Sequence, residues 1–206
     1  MFRIRAIQNA LAQHVPAAGP SRLDRNRTAV ALILAGAEPD LHLCVIRRAD
    51  RDGDPWSGDM ALPGGRAAPE DASLQETAER ETREEVGLVL TPAQRLGALA
   101  EISILLRGRD RLLFLAPFVY YLGPSLAPFT PNEEVSEVYW IPLAHLWDEH
   151  NATSLKLPTR DVSLWYPAIG YRQQVVWGIT HRVLMLFSDV IGHPLPHLEA
   201  IPGLGH

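Results

Sequence analysis

Hydrophobic and polar positions along this chain fall into strand-like runs and helical stripes. Residues 28–36 (TAVALILAG) and 41–48 (LHLCVIRR) are nearly unbroken aliphatic and β-branched runs joined by the polar link 37–40. They predict a β-hairpin buried on both faces, because a sheet wetted on one side would alternate. Residues 96–106 and 112–122 predict a second strand pair around the basic turn RGRDR, and residues 135–141 a further strand that Pro142 ends. Phe2, Ile4, Ile7 and Leu11 suit one face of an N-terminal helix. Residues 71–86 read as a second helix, with Asp71 as N-cap, Leu74, Thr77, Ala78 and Val86 as buried stripe, and Gly87 at the stop. The last third predicts a short helix at 143–149, weaker strands at 154–157 and 162–166, and an apolar helix at 178–191 suited to the core or to a homodimer interface. Strands and helices intermix in this way in an α/β sandwich with a mixed central sheet.

At 206 residues and 47% hydrophobic, the chain can bury one sizeable core, so a single domain over 1–206 is expected. Residues 1–27 would form a helical extension and residues 192–206 a Pro/Gly-rich tail. The first 23 residues carry three arginines and no acid, a composition shared with transit peptides, but the apolar stripe favours an ordinary amphipathic helix. A net charge of -5 gives no basic face for nucleic acid, while leaving room for a small anionic ligand where metal offsets the acids. The lone cysteine, Cys44, excludes an internal disulfide and a Cys-based zinc site. The longest apolar runs, 29–35 and 183–187, fall far short of the ~18 residues a membrane helix needs, and the cytoplasm is the plain assignment.

The chemistry concentrates between residues 47 and 85. Glu81, Glu84 and Glu85 stand at i, i+3 and i+4, which crowds three carboxylates on one side of a helix near its negative end. Like charges so placed cost roughly 0.2–0.5 kcal/mol per pair. Arg80 can reach Glu84 but cannot neutralise three acids, and hard oxygen donors at this density suit Mg²⁺ or Mn²⁺. Alone, such a triplet is ordinarily a solvated acidic face. The preceding LPGG changes that weighting: Gly64 and Gly65 allow close backbone approach and can offer a carbonyl to a metal or an amide to a phosphate. Ahead of it the Gly/Pro/Asp-rich loop RADRDGDPWSGDM carries Arg48 and Arg51, and Arg47 ends the strand just before it, residues suited to phosphate or to solvent. It also carries Trp56, which can stack on a base or anchor the loop. Trp140, Trp165 and Trp177 are expected in the core.

The segment GGRAAPEDASLQETAERETREEVGL resembles the Nudix box, in which Gly, five residues, Glu and seven residues precede Arg-Glu-aliphatic-x-Glu-Glu-x-Gly-aliphatic. RETREEVGL matches from Arg80 to Leu88, with Thr82 in the aliphatic slot. The N-terminal half is one residue longer, so counting from Gly65 puts Asp71 at the first acid and counting back from Arg80 puts Ala72 there. The resemblance implies a Nudix-type α/β/α sandwich, a divalent metal, Mg²⁺ or Mn²⁺, and hydrolysis of a nucleoside diphosphate linked to another group. It implies Glu81 and Glu85 as metal ligands with Gly65, Glu84 as a further ligand or the base, and Arg80 orienting Glu84 through a bidentate pair. In some members the base comes from a downstream loop, which points to Glu134 in TPNEEVSEV, with Glu133 beside it and Glu101 behind. Arg48, Ala49, Arg51, Gly58 and LPGG, with the late WGITHRVL, are similar to the coenzyme A pyrophosphatase branch, the arginine spacing displaced by one. ADP-ribose, a dinucleotide, a nucleoside triphosphate and a non-catalytic nucleotide sensor are the competing readings. No G-x-S-x-G, P-loop or H-E-x-x-H stands in the chain.

Overall fold

The computed structural model describes residues 2–14, 26–54, 56–105, 112–158 and 163–196. The Pro/Gly break at 16–20, the turn RGRDR and the end of the tail lie outside them. Helix α1 (Ile4–Gln13) leads to β1 (Arg27–Ala35) and β2 (His42–Arg48). The short β3 (Met60–Ala61) and β4 (Gly64–Arg66) precede α2 (Leu74–Val86). Then come β5 (Arg95–Ala98), β6 (Ile102–Leu105), β7 (Leu112–Tyr121), β8 (Val135–Pro142) and α3 (Leu143–Leu146). The chain continues through β9 (Ala152–Pro158), β10 (Ser163–Tyr171), β11 (Gln174–Trp177) and α4 (Gly178–Val190).

Strands β1 to β8 make one mixed sheet. β1 runs parallel to β7 through eight registered pairs, from Arg27↔Phe114 to Leu34↔Tyr121, whereas its other partners are antiparallel. The expected hairpin forms, but β1 and β2 stay paired only at Leu34↔Leu43 and Ala35↔His42. Beyond that they part, and the segment 60–66 fills the fork: β3 pairs with β2 at Ile46↔Ala61, and β4 pairs with β1 at Ala29↔Gly65. Ala31 N donates to Pro63 O at 2.8 Å and closes the seam. LPGG is thereby held inside the sheet.

Alternation along β1 and β2 sorts their side chains between two cores. Ala29, Ala31, Ile33, Cys44 and Ile46 face α2, where Ala78 and Val86 meet them. Leu32, Leu34, Leu43 and Val45 face the opposite way, against Ile7 and Leu11 of α1 and Val183, Leu184 and Phe187 of α4. Two-sided burial is the reason the two runs lack polar positions. Each such Leu or Ile contributes about 1.5–3 kcal/mol by leaving water. Helix α4 is spent on this core, with Met185 among its exposed residues.

Several elements differ from expectation. Helix α2 starts at Leu74 with Ser73 as N-cap, its side chain accepting from Glu76 N at 3.1 Å; Asp71 is engaged elsewhere. The strand expected at 96–106 is two strands, both paired with β7, and the break falls opposite Pro117, which has no N–H for the ladder. The helix after Pro142 stops at Leu146, and Glu149–Asn151 forms a separate 3₁₀ turn capped by Asp148. Strands β9, β10 and β11 form a second, three-stranded sheet. Its middle strand passes through Pro167, which weakened the strand signal. Trp140, Trp165 and Trp177 are half-buried; Trp140 packs against the α2-side core as expected, while Trp165 and Trp177 stand outside both cores. Among the described residues no helix is long and apolar enough to cross a membrane.

Candidate active site

Helix α2 lies over the fork. Gly87 ends it in the left-handed conformation (φ 74°), with its N–H on Arg83 O. Its buried residues are Thr77, Ala78, Thr82, Glu85 and Val86, so the apolar stripe contains a carboxylate. Glu85 is 3% exposed and accepts from Gly64 N at 2.8 Å. One turn earlier, the Glu81 carboxylate lies against Gly65: a Cβ at Gly65 would stand 2.4–2.6 Å from its carboxyl atoms. Gly64 has φ +151°, and a Cβ there would meet Ala29 O at 2.2 Å. Gly64 is therefore required by its backbone conformation and by the strand beside it, while a side chain at Gly65 would displace the Glu81 carboxylate.

Arg80 organises the outer side of the acids. Its Nε and Nη2 donate to Asp71 Oδ1 and Oδ2 at 2.9 and 3.0 Å, a two-point pair. Nη1 donates to Glu81 Oε1 and Glu84 Oε2, each at 3.0 Å, and Nη2 also reaches Arg66 O at 3.1 Å. The bidentate partner is thus Asp71, where Glu84 was expected; Glu84 accepts a single bond and is half exposed. Asp71 also takes N–H from Ala68 and O–H from Thr77, both at 2.8 Å. These donors, Arg80 foremost, hold its carboxyl at about 2. In the lengthened box the acid that serves the helix arginine is therefore the one counted from Gly65.

Burial pushes the Glu85 carboxyl up to about 8, with Glu81 and Glu134 adding to the rise and the Gly64 N–H and Arg48 opposing it. Burial likewise raises Glu81 against the pull of Arg80, and Glu84 and Glu134 add to that rise. The buried Glu85, whose charged form the half-buried Glu81 destabilises, supplies with Glu81 an all-oxygen donor set that a hard divalent cation would relieve. The donor chemistry fits such an ion. The cage is not preassembled: among the described residues no three His, Cys, Asp or Glu side chains already stand in metal-holding positions, because Glu81 and Glu84 turn to Arg80 and Glu85 to Gly64.

Strand parity divides the loop arginines. Arg48 follows Cys44 and Ile46 on the α2 face, where its charge reaches Glu85, and its Nη2 bonds Asp54 Oδ2 at 2.7 Å. Arg47 follows Leu43 and Val45 on the other face, bonds Ser136 Oγ at 3.1 Å, and exerts its charge on Tyr139. The structure therefore brings Arg48 to the acids and keeps Arg47 away from them. Arg51 Nη1 meets Glu134 Oε1 at 3.2 Å, both side chains nearly half exposed. Glu134 is close enough to Glu81 and Glu85 to raise both, Glu133 is exposed, and Glu101 is committed to the buried Arg27. Trp56 is half-buried, its N–H on Asp54 Oδ1. Sequence reasoning missed Asp54 and Asp59, whose partners are set by the fold of the loop.

Fold and site together define an α/β protein that presses a buried and a half-buried carboxylate against a glycine strand. A NUDIX domain model matches residues 24–165. An uncharacterized protein of Schizosaccharomyces pombe is 39% identical over 157 residues, 66% of this chain and 47% of that protein, so the chain spans about half of that relative. An uncharacterized Nudix hydrolase, NudL, of Yersinia pestis is 32% identical over 160 residues, 77% of each. A MutT/nudix family protein from Enterococcus faecalis shares the fold at a TM-score of 0.58 and 17% identity, over 93% of this chain and 76% of that one. The chain belongs to the Nudix family, whose enzymes hydrolyse phosphorus-containing anhydrides.

Proposed function

We propose that this protein is a Mg²⁺- or Mn²⁺-dependent pyrophosphohydrolase that cuts the diphosphate of a nucleoside diphosphate linked to another moiety, with coenzyme A or a derivative as first substrate. The observation that carries the reading is the pair of carboxylates, half-buried Glu81 and buried Glu85, set against Gly65 and Gly64. Glu81, Glu85 and Glu84 would hold the metal with the Gly65 carbonyl. When bound, that ion offsets phosphate charge and lowers the pKa of water.

The residues of the chain supply the rest. Arg80, fixed by Asp71, holds Glu81 and Glu84 side by side on one guanidinium nitrogen. Glu134 takes one proton from the attacking water as its oxygen bonds to phosphorus. The bridging P–O bond breaks, and two phosphomonoesters leave. Arg48 and Arg51 bind phosphate oxygens, with Arg51 exchanging Glu134 for substrate. Trp56 offers its ring to the base. The coenzyme A assignment is supported by Arg48, Ala49, Arg51, Gly58 and LPGG. The enzyme is read as cytoplasmic, with Cys44 a buried free thiol.

The test is product analysis on a panel of coenzyme A, ADP-ribose, dinucleotides and nucleoside triphosphates with Mg²⁺ or Mn²⁺. Release of a nucleoside monophosphate and a phosphorylated second fragment is expected. No turnover on any member with either ion would overturn the reading.

A further inference from the structure

Strand β11 and helix α4 lie beyond residue 165, where the family match ends, yet they reach the loop that precedes the glycine strand. Trp177 Nε1 donates to Asp59 Oδ1 at 3.0 Å, across 118 residues of sequence. Beside it, Thr180 Oγ1 donates to Met60 O at 2.9 Å in a buried bond. The backbone oxygen of Asp59 accepts from Arg48 N at 3.0 Å, and its side chain feels the charges of Arg48 and Asp54. Asp54 in turn bonds Arg48 Nη2 and the Trp56 N–H. A continuous set of bonds therefore runs from the second sheet through Asp59 to Arg48 and Trp56. Trp177 is half-buried and meets the Tyr166 ring edge-on at 5.9 Å, so its indole is fixed on the sheet side.

We propose that Trp177 and Asp59 are positioning residues for substrate binding: their bond sets the loop 49–59, and with it Arg48, Arg51 and Trp56, over the acids of α2. The proposal rests on the hydrolase reading above. A loop ordered before substrate arrives does not charge its ordering entropy to binding. The latch acts before substrate arrives, on the ordering of residues whose contacts form at binding, so its loss falls on KM and not on kcat. The segment outside the family match thereby tunes how tightly the substrate's phosphates and base are held.

The test compares W177F, D59A and D59N in the full chain. W177F and D59A are expected to raise KM about tenfold with kcat within about twofold, the scale of one hydrogen bond to a charged acceptor. D59N keeps an oxygen for the indole N–H and should restore KM to near the wild-type value. The W177F/D59A double variant should be no worse than either single variant, because both remove the same bond. Hydrogen exchange of the 48–59 amides, measured without substrate, should quicken in W177F and D59A and stay slow in D59N. Unchanged exchange in W177F and D59A overturns the latch, and so does a loss confined to kcat. Quickened exchange in a protein that turns over nothing on the panel overturns the hydrolase reading instead.

Discussion

Asp71 holds Arg80 at two points, Nε on Oδ1 at 2.9 Å and Nη2 on Oδ2 at 3.0 Å, and so leaves Nη1 for Glu81 and Glu84. Both side chains of this pair are largely buried, 4% and 17% exposed. Removing one partner of such a pair strands the other, at about 3 kcal/mol. Asp71→Ala should lower Tm by roughly 6–12 °C and cut kcat, because the two glutamates lose their aim. A Tm within about 2 °C of wild type in thermal unfolding would show that Arg80 is held equally well by its other acceptors.

The same site sets opposite pH dependences. Asp71 is held at about 2, below its usual 3.8, so its contribution to stability is complete above pH 3.8 and is lost as pH falls through 2. Glu85 is raised from 4.5 to about 8, so the fold favours its protonated form. Its contribution is complete below pH 4.5 and declines as pH rises to 8. In metal-free buffer Glu85→Gln should flatten that decline and raise Tm at pH 8.5 by about 2–4 °C, since the amide oxygen still accepts from Gly64 N. Millimolar Mg²⁺ or Mn²⁺ should raise the Tm of wild type but not of the variant, which should also lose turnover. Equal Tm shifts with metal in both proteins would remove Glu85 from the ligand set.

Thr82 occupies the aliphatic slot of the box, and its Oγ1 is buried without a hydrogen-bond partner. A buried unsatisfied hydroxyl costs about 1–3 kcal/mol, while its isosteric replacement fills the same space. Thr82→Val should raise Tm by roughly 2–4 °C per kcal/mol recovered and leave KM unchanged. A lower Tm would mean that the hydroxyl is satisfied in solution, for instance by a water.

The elements that carry the site were legible where one periodicity ran long enough to be seen. Residues 28–36 and 41–48 announced two-sided burial, and the spacing of Glu81 and Glu85 announced clustered acids. The fork was not legible, because β3 and β4 are two and three residues long and no alternation shows in so few positions. Asp71 looked like an N-cap because acids ahead of a helix usually are; its real partner, Arg80, lies nine residues on and outcompetes the backbone. The Trp177–Asp59 bond spans 118 residues, and the placement of β11 beside β3 brings the two together.

Parity on β2 separates two arginines that sequence chemistry treats alike. Arg48 shares the α2 face with Glu85, and Arg47 lies with Tyr139 and Ser136 on the other. A register shift between the two residues, opposite Glu137 and Val135, leaves that division intact. Replacing Arg48 by Ala removes a cation that offsets the charge of Glu85 and a bond to Asp54 that orders the loop. KM should therefore rise about tenfold or more, on the scale of a charge-assisted hydrogen bond. Arg47→Ala loses its bond to Ser136 and a longer, exposed ion pair with Asp50, and should change KM by less than about threefold, with stability falling by about 1 kcal/mol. Steady-state kinetics of the two variants on one substrate decide the matter: equal losses would mean that the substrate crosses the sheet edge and uses both faces.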